Sequence, residues 1–346
     1  MKQPWKSRTK LTPAPLIFRW DLDKTYLRSE FNTFRSLMRI PFEQAEDKIN
    51  VPGVVPVIRG LRSDAVIAGR DVRIYFITAS PPQIGKAIKG KFLLDRIEYD
   101  GIVFKDQLRE LVRGKFRNLR EHVGFKLGEL LKSRLDAPAG AREVLFGDDW
   151  ESDPVIYSLY ADLLAGRLDA EGLGKVLRII DVDVMAIIKA QQLAERIGTA
   201  DCVDKIYINL ERRTPVGRFR SLGLRLVPAF NYLQTASCLF EDGHVSLTTV
   251  CAVARELTAN AGYTPERLAN SLADVSRRGH LDPTSVAAIR QRLEDEGLLE
   301  HERRDPRLAV IWRRLRAWWA RREKRPAVAG EPIDYEALVA EWRAFH

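Results

Sequence analysis

Cysteine is scarce in this 346-residue chain. There are three, Cys202, Cys238 and Cys251, and no two of them form a CxxC pair. An odd number without paired spacing excludes a disulfide framework and gives no zinc site. Buried free thiols in a reducing compartment are the expectation. Long apolar runs are missing as well: no stretch approaches the roughly 18 apolar residues of a membrane-crossing helix. The first ten residues are polar and basic with no apolar run behind them, which argues against a secretory leader. The expected location is therefore cytoplasmic, at most peripheral to a membrane. No internal repeat, helix-turn-helix, RNA-recognition or zinc-finger pattern stands out.

What is present reads as an ordinary soluble protein, with 45% hydrophobic and 30% charged residues. The length suits roughly two domains and a sizeable core. The formal net charge is +9, from 56 Lys and Arg against 47 Asp and Glu. The stretch 303–325 alone carries ten basic residues and two acids, a net +8 that leaves +1 for everything else. The basic balance is thus a local feature of one segment, not of the whole chain.

Short apolar runs at 16–20, 72–77, 102–104, 143–146, 203–210 and 224–227 read as strands. Helical patterns at 82–94, 125–134 and 154–168 fall between them, the last with Pro154 in its first turn. Strands alternating with helices predict an α/β fold: a parallel sheet with helices on both faces, spanning 12–245 with a helical insertion at about 169–199. The 45 or so residues between Tyr26 and Val72, with a helix at 31–40, are few for an independent lid, so the cap is small or absent. From 246 to 346 the chain reads as helical. Helices at 250–260, 265–278 and 283–296 end at Gly262, Gly279 and Gly297, a linker spans 326–332, and a last helix covers 335–345.

In parallel sheets ligands bind beyond the carboxyl ends of the strands, so polar residues there are the candidates for chemistry. Asp21 and Asp23 leave the first strand in the run DLDKT at 21–25. Strand-ending acids often only cap turns. A second cluster, GDDWESD at 147–153, follows the fourth strand, and crowded carboxylates of this kind suit a hard cation such as Mg²⁺. Asp153 before Pro154 also fits a helix N-cap, a role that Asp148 and Asp149 do not need to share. Thr78 ends the second strand where a helix begins, a place that suits a phosphate oxygen or an ordinary cap. Lys126 opens the helix before the fourth strand and either pairs with such a phosphate or is one more surface lysine.

In this order the four elements resemble the haloacid dehalogenase superfamily of phosphohydrolases: DxDxT at 21–25, Thr78, Lys126, and GD(x4)D at 147–153. The surroundings, FITASPPQ at 76–83, LFGDD at 145–149 with DPVIY at 153–157, and KIYI at 205–208, are similar to the catalytic domain of actin-patch-associated phosphatidate phosphatases over roughly 16–245. That branch usually has an acid where Lys24 stands and an aromatic where Pro82 stands. The resemblance implies Asp21 as nucleophile, Asp23 as general acid and base, and Thr78 and Lys126 as phosphate-holding groups. It implies Mg²⁺ held by Asp21, the carbonyl of Asp23 and Asp148, supported by Asp149 or Asp153, and Thr25 as a brace of the turn. The implied substrate is a phosphomonoester, phosphatidate or another large one.

The basic stretch 303–325 places Leu308, Ile311, Trp312, Leu315, Trp318 and Trp319 at three- and four-residue spacing, an amphipathic helix with an arginine face. It either packs its Trp face on the protein, lies on an anionic membrane surface or contacts nucleic acid. The rival to an enzyme is accordingly an inactive scaffold that binds such a surface through this helix.

Overall fold

The structure, a computed structural model, describes residues 14–28, 49–78, 80, 82–105, 119–150, 152–300 and 333–345. The expected helix at 31–40, the basic helix at 303–325 and the linker at 326–332 lie outside these residues.

Six strands form one parallel sheet: β1 Leu16–Asp21, β2 Val72–Thr78, β3 Gly101–Phe104, β4 Arg142–Asp148, β5 Val203–Asn209 and β6 Leu226–Ala229. Their order is β3-β2-β1-β4-β5-β6, that of a doubly wound Rossmann-like sheet. The predicted α/β class with helices on both faces holds. Among the described residues the helices are α1 Val54–Ile67, α2 Gly85–Leu94 (entered by a 3-10 turn at Pro82–Ile84), α3 Leu119–Leu135, α4 Asp153–Leu164, α5 Ala170–Ile180, α6 Val184–Arg196, α7 Tyr232–Glu241, α8 Leu247–Ala261, α9 Pro265–Arg277, α10 Pro283–Asp295 and α11 Tyr335–Phe345.

Strand side chains alternate between the two faces. Phe18, Trp20, Phe76, Phe146 and Tyr207 join α1, α2 and α7 to α10 in one core, where Trp20 stacks on Phe146 at 3.8 Å. Ile77, Leu145, Ile206 and Ile208 join α3 to α6 and α11 in the other. α8 to α10 therefore share a core with α1 and the sheet, and α11 joins the opposite core, instead of these helices enclosing a separate one. α8 crosses α1 closely at Gly60, where a Cβ would come 2.9 Å from that of Thr249. The predicted insertion is the helix pair α5 and α6, each started by an aspartate, Asp169 and Asp183, that accepts from backbone N–H groups of the first turn. Among the described residues no helix is long and apolar enough to cross a membrane.

The sheet-covering helices carry a pH liability. His280 follows α9, and burial, reinforced by the cations Arg278 and Lys205 and only partly offset by Asp274, pushes its imidazole down to about 4. The unfolded chain takes up that proton near pH 6.5, so the unfolded state gains as the pH drops from about 6.5 to about 4. Stability is expected to fall across that window by up to about 3 kcal/mol from this group alone. In denaturant titrations at stepped pH, His280→Asn should flatten the slope; an unchanged slope would refute the assignment.

Candidate active site

β1 sits between β2 and β4, and the chain leaves β1 to cover one face while α3 and α4 cover the other. At this reversal the connections diverge and leave a crevice beyond the carboxyl ends of β1 and β4. Asp21 is the last residue of β1 and Asp148 the last of β4.

Asp21, Asp148 and Asp153 converge there: one carboxylate oxygen from each lies within 4.8 Å of the others. All three are buried, at 1%, 0% and 0% exposure. Lys126, reaching from α3 and also 1% exposed, places its Nζ 2.7 Å from Asp21 Oδ1 and 2.6 Å from Asp153 Oδ1. Lys126 is thus a buried ion-pair partner and not a surface lysine. Asp153 Oδ2 accepts from the Asp148 N–H at 3.3 Å, and Asp148 Oδ1 accepts from the Trp150 N–H at 2.6 Å. Gly147 has a packing reason to be glycine, because a Cβ there would lie 2.6 Å from Asp153 Cβ and closer still to its carboxylate. Beneath, the Tyr157 hydroxyl donates to the Phe146 carbonyl at 3.2 Å, and burial, then the charge of Asp153, pushes it well above the usual phenol range.

Asp23, half-buried, stands apart from the carboxylate cluster. Its Oδ2 accepts from the Thr78 hydroxyl at 2.9 Å and the Ser80 hydroxyl at 3.1 Å, while Thr78 Oγ1 accepts from the Ser80 N–H at 3.0 Å. The end of β2 thereby orients Asp23, and Thr78 is joined to that carboxylate.

Two expectations change. Asp149 is not one of the three carboxylates that meet at the strand ends. Its carboxylate accepts from the backbone N–H of Arg212 at 2.8 Å and of Thr214 at 2.9 Å, tying the loop after β5 to the end of β4. Asp153 is not the N-cap of α4: Ser152 occupies that position, and Asp153, the first helical residue, turns its side chain to Lys126.

Three contributors have no counterpart in the sequence reading. Tyr232 donates its hydroxyl to the Thr25 carbonyl at 2.7 Å and Asn209 its amide to the Lys24 carbonyl at 3.1 Å, so both brace the turn at 21–27. Ser80 shares Asp23 with Thr78. Asn209 ends β5, and the strand-end rule that points to Asp21 and Asp148 would have found it.

Carboxylates crowded this closely repel one another, and a cation among them offsets that repulsion. Oxygen donors alone, at this spacing, fit a hard divalent cation such as Mg²⁺. Set against protein-family models, curated proteins and solved structures, the chain matches none of them.

Proposed function

We propose that this protein is a Mg²⁺-dependent phosphohydrolase of the haloacid dehalogenase type, cleaving a phosphomonoester through an aspartyl-phosphate. The observation that carries this reading is the meeting of Asp21, Lys126, Asp148 and Asp153, from four separate elements, at the reversal point of the sheet.

Asp21 attacks phosphorus and the ester oxygen leaves, so the phosphoryl group passes to the carboxylate. Asp23 gives the leaving oxygen its proton, then takes a proton from the water that attacks the phosphoenzyme, releasing phosphate and restoring Asp21. Lys126, held between Asp21 and Asp153, orients the nucleophile and offsets charge on the transferring group. Thr78 and Ser80 keep Asp23 aimed. Asp21, Asp148 and Asp153 would hold Mg²⁺, whose contribution when bound is to neutralise negative charge on the phosphoryl oxygens.

Three buried free thiols, Cys202, Cys238 and Cys251, suit a reducing, cytoplasmic compartment; burial pushes that of Cys238 up to about 12 and keeps it unreactive. The net +8 of 303–325 suits peripheral contact with an anionic membrane surface.

The test is release of 4-nitrophenol from 4-nitrophenyl phosphate, with phosphatidate in detergent as the large candidate. Turnover is expected with Mg²⁺, and none after chelation. Asp21→Asn should lower it by on the order of 10⁴-fold or more. A wild-type protein without turnover, or Asp21→Asn with the wild-type rate, refutes the reading.

A further inference from the structure

We propose that a pocket beside α1, α2 and α8 binds a small aliphatic α-amino acid, with the ligand's ammonium on Glu256 and its carboxylate on Arg59. The pocket has a volume of about 440 Å³, within the range of small-molecule sites and ample for such a ligand. The phosphohydrolase reading makes no use of it: Asp21, Asp23, Thr78, Lys126, Asp148 and Asp153 are not among the described residues that line it.

One side of the pocket calls for a donor. Glu256, half-buried on α8, accepts from the Gly53 N–H on Oε1 at 2.8 Å, and its Oε2 makes no hydrogen bond or ion pair with the described residues. Burial pushes its carboxyl above the usual range, against the pull of the Gly53 N–H and of Arg59. The Asn50 amide donates to Asp95 Oδ2 at 2.7 Å, which fixes its orientation and leaves its buried Oδ1 without a donor. Asn260, in the last turn of α8, lines the same pocket, so the carbonyl end of that helix also favours positive charge there. An ammonium brings three N–H donors to such a place and offsets the charge of the half-buried carboxylate.

The other side calls for an acceptor. Lys91 is already engaged by Asp95 at 3.0 Å, and the Tyr26 hydroxyl donates to the same carboxylate. Arg59 is engaged through Nε alone, which donates to the Asp95 carbonyl at 2.7 Å; its two terminal nitrogens make no hydrogen bond or ion pair with the described residues. Arg59 acts on Glu256 through its charge, yet the two line one pocket without forming an ion pair. A guanidinium in that state is matched by a ligand carboxylate. Ile49, Pro52 and Val55 supply an aliphatic wall, in which Ile49 is 66% exposed. An aliphatic side chain laid on that wall takes apolar surface of both partners out of water.

The test is calorimetric titration of the full wild-type chain with L-leucine, isopentylamine and isocaproate; the last two are leucine without its carboxylate and leucine without its ammonium. Leucine is expected to bind about tenfold more tightly than either, or better. Glu256→Gln, which keeps an acceptor for the Gly53 N–H, should bring leucine down to the affinity of isocaproate. Arg59→Gln should bring it down to that of isopentylamine, with melting curves showing that each variant is folded. No binding of leucine, equal affinities for the three ligands, or a leucine preference that survives both substitutions overturns the proposal. The wild-type comparison decides alone if a variant does not fold. No readout here involves turnover, so the aryl phosphate assay tests the phosphohydrolase reading separately.

Discussion

Lys126→Met is expected to lower turnover by about 10²- to 10³-fold, the loss typical of one preorganised charge-stabilising donor. It should also alter stability in a way that depends on the metal. Lys126 is the cation between Asp21 and Asp153, and all three side chains are buried. Removing one partner from a buried ion pair costs about 3–5 kcal/mol, because the remaining charges are left uncompensated. Without divalent ions the variant should lose stability of that order. Mg²⁺ should then return more stability to the variant than to the wild type, since a ligand that binds only the folded state adds about 2.7 kcal/mol at a hundred times its dissociation constant. Without the ammonium, that constant should be smaller. Guanidinium titrations with and without Mg²⁺ measure both effects. If the variant loses under about 1 kcal/mol, or Mg²⁺ acts equally on both proteins, the charge balance argued for this cluster is wrong.

Much of the fold is legible in the sequence because its strands are short apolar runs between helical patterns, and all six positions correspond to strands. Strand order is another matter: it depends on which face each connection covers, and periodicity carries no such information. α1 escapes a sequence reading because it opens Val54-Val55-Pro56-Val57-Ile58, a β-branched run with a proline. Proline is tolerated in the first turn, and tertiary packing against α8 outweighs the propensity. α7 escapes for a related reason: Leu233, Ala236, Ser237, Cys238 and Leu239 are buried around nearly its whole circumference, which leaves no polar face to mark a helical period.

At the site, the strand-end acids and Lys126 are legible because sheet topology brings strand ends together wherever the strands lie in sequence. The difference between Asp149 and Asp153 is not. Both follow Gly147 within a few residues, and which one faces the crevice is decided by the turn into α4 and by backbone N–H groups arriving from the loop after β5. Arg19, in the middle of LIFRWD, shows the same limit from the opposite side: a charge inside a buried strand signals a partner but does not say which.

That partner supplies the second large effect. Glu143→Leu is expected to destabilise the protein by about 3–5 kcal/mol, and Arg19→Met together with Glu143→Leu by distinctly less than the two single losses combined. Arg19 lies two residues before Asp21 on β1, with Nε 2.7 Å from Glu143 Oε2 and Nη2 3.1 Å from Oε1. Arg134 on α3 reaches the same carboxylate at 3.1 Å, the Tyr160 hydroxyl donates to it at 2.9 Å, and Ser133 bonds the guanidinium. Burial alone would raise the carboxyl of Glu143, yet Arg19 and then Arg134 hold it below the usual range; Arg19 stays charged despite its own burial because Glu143 faces it. Glu143→Leu strands Arg19 with no counter-charge, whereas Arg134, 11% exposed along its side chain, keeps a hydrogen bond to the Ala141 carbonyl. Removing both members spares the unpaired buried cation, and the remaining cost is the acceptor lost by the Tyr160 hydroxyl and Arg134. The network clamps β1, β4 and α3, the three elements that carry Asp21, Asp148 and Lys126, one layer beneath the proposed site. Its loss should therefore appear in a double-mutant cycle of unfolding free energies, with kcat for aryl phosphate falling far less than in Lys126→Met. Additive single effects would show that Arg19 and Glu143 are not coupled. A collapse of kcat in the stable double variant would show that the clamp positions Asp21 as well as holding the sheet.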